Sequence, residues 1–259
     1  MIAPLSLSPA SYSAPYSATP FRLTLLGGAS LGRGRGDPVV GRAVHRHRVA
    51  LLALLACSRG GAVNRERLIA LLWPESDHEK GRNLLKTAVY DLRKTLGDGA
   101  LLAVGDDLRL DTGFVGSDVH DLEHSAARGD HAAVAATYGG PLLDGFHAGE
   151  SHELDEWIEA HRSRLAAVHA AAIERLAESA TARGDHHDAR DWWQQRAALD
   201  PLDSRVALSL VRALDASGNQ SGAMRHVAQH ERLLQQELGM GLPASVAAVA
   251  AALRAPRRG

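Results

Sequence analysis

Arg82-Asn83-Leu84-Leu85-Lys86-Thr87-Ala88-Val89-Tyr90-Asp91-Leu92-Arg93-Lys94-Thr95-Leu96 reads as a helix with two unlike faces. Leu85, Val89, Leu92 and Leu96 recur at i, i+4, i+7 and i+11, the stripe that a helix buries against a core. Asn83, Thr87, Tyr90 and Lys94 recur at the same spacing two positions earlier, about 200° around the helix, with Lys86 and Arg93 flanking them. Amide, hydroxyl and cationic groups on one side suit a helix that lies in a DNA groove. A plain solvated face is the competing reading, and the flanking sequence decides between them.

Working outward, the order of elements is that of a winged helix-turn-helix. Phe21-Arg22-Leu23-Thr24-Leu25-Leu26 reads as a strand, Gly27 to Pro38 as a glycine-rich turn, and Val39-Val40 as a second short strand. A helix runs from near His45 to Ser58, with Val44, Leu51, Leu52 and Leu55 on one side, and Gly60-Gly61 ends it. Asn64 can cap a second helix over Arg65 to Trp73, which Pro74 stops. The opening helix starts near His78, and Gly97 closes it. Leu101 to Val104 and Leu108 to Leu110 then form a hairpin around Gly105-Asp106-Asp107. The opening helix is third of three before a hairpin, the recognition position.

After Gly116 the strand signal gives way to helices: Asp118–Arg128, Asp130–Tyr138, Glu153–Arg183, Asp185–Leu199, Leu202–Ser217, Asn219–Leu238 and Pro243–Arg254. Gly184 and Gly218 lie one tetratricopeptide period apart, as do Ala189 and Ala223. Trp193 and Pro201 occupy the bulky and terminal positions of that repeat, Val227 and Gln235 those of a weaker second copy. The fold class expected is an α+β N-terminal winged helix-turn-helix followed by an all-α tetratricopeptide-like helical repeat domain. The expected organisation is a leader over 1–20, a winged helix over 21–115, a helical domain over 116–254 and a tail over 255–259.

Composition narrows the function classes. Across 259 residues the net charge is −1, but residues 21–115 hold 15 Lys+Arg against 10 Asp+Glu, while residues 116–259 hold 14 against 20. A polyanion would meet the basic front half. The single cysteine, Cys57, excludes an internal disulfide framework and reads as a small core residue. Residues 1–20 carry no Lys or Arg, unlike a signal peptide, and Val49 to Ala56 is too short to span a bilayer. A cytoplasmic, nucleoid-associated protein without membrane contact is expected.

Motifs for chemistry are weak. Gly28-Ala29-Ser30-Leu31-Gly32 matches G-x-S-x-G, but a nucleophile elbow needs a helix next, and Gly32 to Pro38 cannot supply one. His120/His124 and His226/His230 are i, i+4 pairs without an assignable third ligand, so solvated histidines are the reading preferred over a metal site. Of Trp192-Trp193, Trp193 is the core candidate and Trp192 the partly exposed one. No catalytic residue, cofactor or metal is expected.

The chain resembles bacterial transcriptional activators of the Streptomyces antibiotic regulatory protein type, an OmpR-type winged helix followed by a bacterial transcriptional activator domain. The resemblance lies in Arg65 to Pro74, Asn83 to Leu96, Ser117-Asp118, Tyr138-Gly139-Gly140-Pro141-Leu142-Leu143-Asp144-Gly145-Phe146, and Trp157-Ile158-Glu159 with Arg162. It implies a regulator that reads promoter DNA and activates transcription. By resemblance Asn83, Thr87, Tyr90, Arg93 and Lys94 face DNA, Arg82 and Lys86 contact phosphate, and Arg109 is the wing's cation. Glu75, Ser76, Asp77, His78 and Glu79 match the loop that touches RNA polymerase. The implied partners are double-stranded promoter DNA, RNA polymerase and a second copy on paired sites. Two features depart from the pattern: Asp91, on or beside the reading surface, and the acidic wing tip Asp106-Asp107. They favour the alternative, a protein-interaction adapter whose winged helix no longer binds DNA.

Overall fold

A computed structural model describes residues 19–34, 37–41, 45–58, 61–149 and 151–255. Residues 1–18 of the expected leader, Arg35 and Gly36 of the glycine-rich turn, Val44, Gly60, and 256–259 of the tail lie outside the described residues. The described residues form two compact units. One takes the residues through His124 together with Thr137–Ser163; the other takes Ser125–Ala136 and the residues from Arg164 on.

In the first unit, β1 (Phe21–Thr24), β2 (Ser30–Arg33) and β3 (Asp37–Pro38) precede three helices, α1 (Arg46–Ala56), α2 (Arg65–Leu72) and α3 (His78–Leu96), with β4 (Ala62–Asn64) between the first two. A 3-10 turn, Asp98–Ala100, leads to β5 (Leu101–Val104), β6 (Asp107–Leu110) and β7 (Val115–Ser117). Two sheets result, ordered β3-β2-β1-β7 and β4-β6-β5.

Three strands escaped the sequence reading, each for a local reason. Ser30–Arg33, expected as part of a turn, pairs antiparallel with β1 in the register Leu23↔Leu31; its glycine hides the alternation. Val115–Ser117 runs parallel to β1 and crosses the expected border at 115/116, but three residues are too few to show a period. Ala62–Asn64 adds to the wing by pairing with β6. The second strand expected at Val39-Val40 falls instead on Asp37–Pro38, and Val40 is exposed.

The core explains the order. Ala50 through Leu55 of α1 are all buried, so this helix is surrounded rather than amphipathic. Leu68, Leu71 and Leu72 of α2 and Leu85, Leu92 and Leu96 of α3 are buried as well, both helices pack against α1, and Cys57, which follows α1, is buried too.

Residues 137–163 belong to this unit through backbone contacts that side chains would forbid. Gly27 approaches Gly139 so closely that a Cβ would stand 2.6 Å from the Gly139 oxygen. The Gly27 amide donates to Pro141 at 2.9 Å and the Leu143 amide to Leu25 at 2.7 Å. Arg162 holds the far side of that segment, donating to the carbonyls of Leu142 and Leu143 at 2.7 and 2.8 Å. Buried Asp118, the first residue of α4 (Asp118–Ala127), accepts from the amides of Leu25, Leu26 and Val119 at 2.8–3.0 Å. Burial raises its pKa against the pull of those three donors.

The helices after α4 are α5 (His131–Thr137), α6 (His152–Ala182), α7 (His186–Leu199), α8 (Ser204–Ala216), α9 (Gln220–Leu238) and α10 (Ala244–Arg254). In the second unit α7 packs on α8, α8 on α9, and α10 returns against both. The repeat positions carry the packing: Ala189, Ala223, Trp193 and Val227 are all buried in one cluster, with Trp192 only partly covered.

Candidate nucleic-acid interface

The helix-turn-helix is built from two caps and one close approach. Asn64 accepts from the Glu66 amide at 3.0 Å, capping α2, while its own side-chain amide donates to Asp107 at 3.1 Å. The Arg65 amide donates to the Asp106 carbonyl, so the start of α2 is tied to the wing. Trp73 stacks on His47 of α1, ring centroids 5.4 Å apart, where Pro74 ends the helix. Burial, and then the charges of Arg46 and Arg48, hold the His47 pKa below its ordinary value. Asp77 caps α3 by accepting from the Lys80 amide at 2.8 Å. At Gly81 a Cβ would meet Ile69 at 2.5 Å, so glycine lets α3 cross α2.

That crossing sets which side of α3 faces out. Gly81, Leu85, Ala88, Val89, Leu92 and Leu96 are buried, whereas Asn83, Lys86, Thr87, Tyr90 and Lys94 are exposed. Tyr90 is 63% exposed, unusual for an aromatic ring in a core-forming helix. The Thr87 hydroxyl donates to the Asn83 carbonyl at 2.9 Å, leaving its oxygen to accept. Exposed Lys80, one helical turn before Asn83, joins this face. The i−3 spacing was legible in the sequence and was missed. Glu79 is the only carboxylate on the outward side of α3 among the described residues.

Other candidate residues are engaged within the fold. Arg82 grips Glu66 through Nε and Nη2, at 3.2 and 2.9 Å. Half-buried Arg93 donates from Nε and Nη2 to the Leu101 carbonyl at 3.1 and 2.6 Å. Asp91, expected on or beside the reading surface, is 7% exposed and ion-paired with Arg48 of α1. It occupies the flank of α3 that turns inward, and its partner is 43 residues away, beyond any helical spacing.

The wing and the loop are also corrected in detail. Asp107 lies in β6 opposite Val104, so the turn is Gly105-Asp106 alone, and the Asp107 carboxylate holds Asn64. Arg109 is exposed on β6, its stem passing over Gly61. Of the stretch Glu75 to Glu79, only Glu75 and Ser76 are loop. Asp77 is the cap, while His78 and Glu79 form the first turn of α3, with His78 3.3 Å from Glu66.

Residues 116–254 match the family described as "Bacterial transcriptional activator domain", more than half of the chain. The chain belongs to this family. Residues 43–103 match "Transcriptional regulatory protein, C terminal", the span that holds the three helices and the start of the wing. This regulator is thus of the Streptomyces antibiotic regulatory protein type, a winged helix joined to an activator domain. It is similar to the regulatory protein AfsR of Streptomyces coelicolor, 28% identical over 205 residues that cover 74% of this chain and 20% of AfsR. The chain spans about a fifth of the length of that relative. Mycobacterium tuberculosis EmbR, solved in complex with a low affinity phosphopeptide, shares the fold, with a TM-score of 0.64 at 21% identity over 90% of this chain and 65% of EmbR. Among the described residues no helix is long and apolar enough to cross a membrane.

Proposed function

We propose that this regulator reads promoter DNA with the outward stripe of α3 and activates transcription by recruiting RNA polymerase. The observation that carries the reading is the segregation on α3. Asn83, Lys86, Thr87, Tyr90 and Lys94 are exposed together on the third helix before a hairpin, and no apolar residue of the helix's core stripe joins them. Asn83 offers an amide that matches adenine's N6/N7 edge. Lys80, Lys86, Lys94 and Arg109 are placed to neutralise phosphates. Arg82 is a weaker candidate for phosphate, since Glu66 already balances its charge.

The exposed acid Glu75 and the first turn of α3 form the surface proposed for polymerase. A homodimer on paired sites would offset the modest number of exposed cations on one copy. The functional border is placed at 115/116, and the setting is cytoplasmic and nucleoid-associated. The adapter reading loses its main support, because Asp91 and Asp107 are turned to Arg48 and Asn64. The protein is read as non-enzymatic: Ser30, the one candidate nucleophile, lies in β2 rather than at a strand-to-helix turn.

The test is titration of labelled DNA from upstream of the gene at low and moderate salt. Retention that weakens with salt and disappears in Lys86→Glu, Lys94→Glu supports the reading. Retention indifferent to both changes refutes the assignment of α3.

A further inference from the structure

The outward sector of α3 is bounded by two polar anchors. On one flank Asp91 pairs with Arg48 of α1. On the other, Arg93 closes two N–H donors on the carbonyl of Leu101, a fully buried residue that opens the wing strand β5. At about 100° per residue these anchors stand about 160° apart across the outward side. Asn83, Lys86, Thr87, Tyr90 and Lys94 all fall within that sector, and Leu85, Ala88, Val89, Leu92 and Leu96 all fall outside it.

Apolar packing alone holds a helix's rotation about its axis loosely, because dispersion contacts are individually weak and without direction. Charge-assisted hydrogen bonds are directional. One anchor ties α3 to the helical core and the other ties it to the wing.

We propose that Asp91 and Arg93 are positioning residues that lock the roll of the recognition helix, with Arg93 acting on DNA through the helix and not by touching phosphate. The inference rests on the DNA reading given above. It assigns to Arg93 a role different from that of the free lysines beside it. Only a planar guanidinium presents two adjacent N–H groups to one carbonyl, so lysine keeps the charge but not the anchor.

The probe is the duplex that the wild-type protein enriches from a random-sequence pool, with a shuffled duplex as the non-specific control. Affinity is measured across a salt series for the wild type, Arg93→Lys, Arg93→Met, Lys86→Gln and Lys94→Gln, each confirmed folded by circular dichroism at the assay temperature. Each lysine variant is expected to lower the steepness of log K against log salt by about 0.9 for each copy bound and to weaken both duplexes alike. Both Arg93 variants are expected to keep the wild-type slope. They should lose at least tenfold in preference for the enriched over the shuffled duplex. An Arg93→Lys protein with wild-type preference overturns the inference, as does an Arg93→Met protein whose slope drops like that of a lysine variant. If the wild type enriches no duplex, the DNA reading itself falls. If it enriches one and the Arg93 variants behave as phosphate contacts, only the positioning role falls.

Discussion

Substituting Asp91→Ala takes away the carboxylate that Arg48 holds between α1 and α3. The pair is well shielded, with side chains 8% and 16% exposed, and the Arg48 Nε is already buried without a hydrogen-bond partner. Removing one member of a buried pair typically costs about 3–5 kcal/mol, because the other charge is left uncompensated. Arg48 retains some access to water, so the lower end, about 3 kcal/mol, is the expected loss. For a chain of this size that is a fall of roughly 6–12 °C in melting temperature. Urea unfolding followed by circular dichroism measures it, with DNA binding assayed separately at a temperature where the variant is folded. Replacing both partners, Arg48→Met with Asp91→Leu, is expected to recover most of the loss, since an apolar pair of similar volume removes the desolvation problem. The opposite result is equally specific. If Asp91→Ala leaves stability unchanged and tightens DNA binding, the carboxylate was facing phosphate and the inward assignment is wrong.

Gly81→Ala is expected to destabilise the first unit by about 1–3 kcal/mol through overpacking against Ile69, despite alanine's better helix propensity, and in an Ile69→Ala background the same substitution should cost little; denaturant midpoints of the double-mutant cycle decide. Trp193→Ala should cost the second unit about 3–5 kcal/mol, whereas Trp192→Ala should change its melting temperature little. Burial lowers the pKa of His169, and burial together with His230 lowers that of His226, below the ordinary 6.5. Their folded-state pKa values lie below the unfolded one, so the unfolded chain takes up protons first. Stability present above pH 6.5 should therefore be lost as pH falls, and melting curves of the second unit at pH 7.5 and 5.5 should show it, with His226→Gln flattening the difference.

The parts of the fold that were legible in sequence are those set by local periodicity. Asn64, the cap expected for α2, accepts the Glu66 amide, and Asp77, Asp203 and Asn219 cap α3, α8 and α9 in the same way, so helix starts lie within a few residues of those expected. The repeat was legible because Ala189 and Ala223 must be small where helices meet. What escaped was long-range. Neither β1's parallel pairing with β7 nor the Gly27–Gly139 approach leaves a local trace. The histidines show the same limit: His230, expected as solvated, is 1% exposed and satisfied by Ser204 and the Pro201 carbonyl. At the candidate site the stripe was legible as spacing, but the fates of Asp91, Arg93 and Arg82 depended on Arg48, Leu101 and Glu66, which no helical period connects to them.

Those fates change how charge should be counted on this surface. A tally of Lys and Arg along α3 treats Arg82, Arg93 and three lysines alike and subtracts Asp91. The structure leaves Lys80, Lys86 and Lys94 exposed on α3, with Arg109 on the wing, sets the exposed carboxylate of Glu79 against them, and takes Arg82, Arg93 and Asp91 out of the sum. Four phosphate contacts correspond to a slope of log K against log salt of about −3.6 for one copy, and about −7 for two. A duplex with one half-site should therefore give the shallower slope and a duplex with two the steeper one, the difference appearing together with tighter binding. A slope near −1 on both would mean that these cations do not meet the backbone. A slope near −3.6 on both would mean that a single copy binds, and the paired-site proposal would then be wrong even though α3 reads DNA.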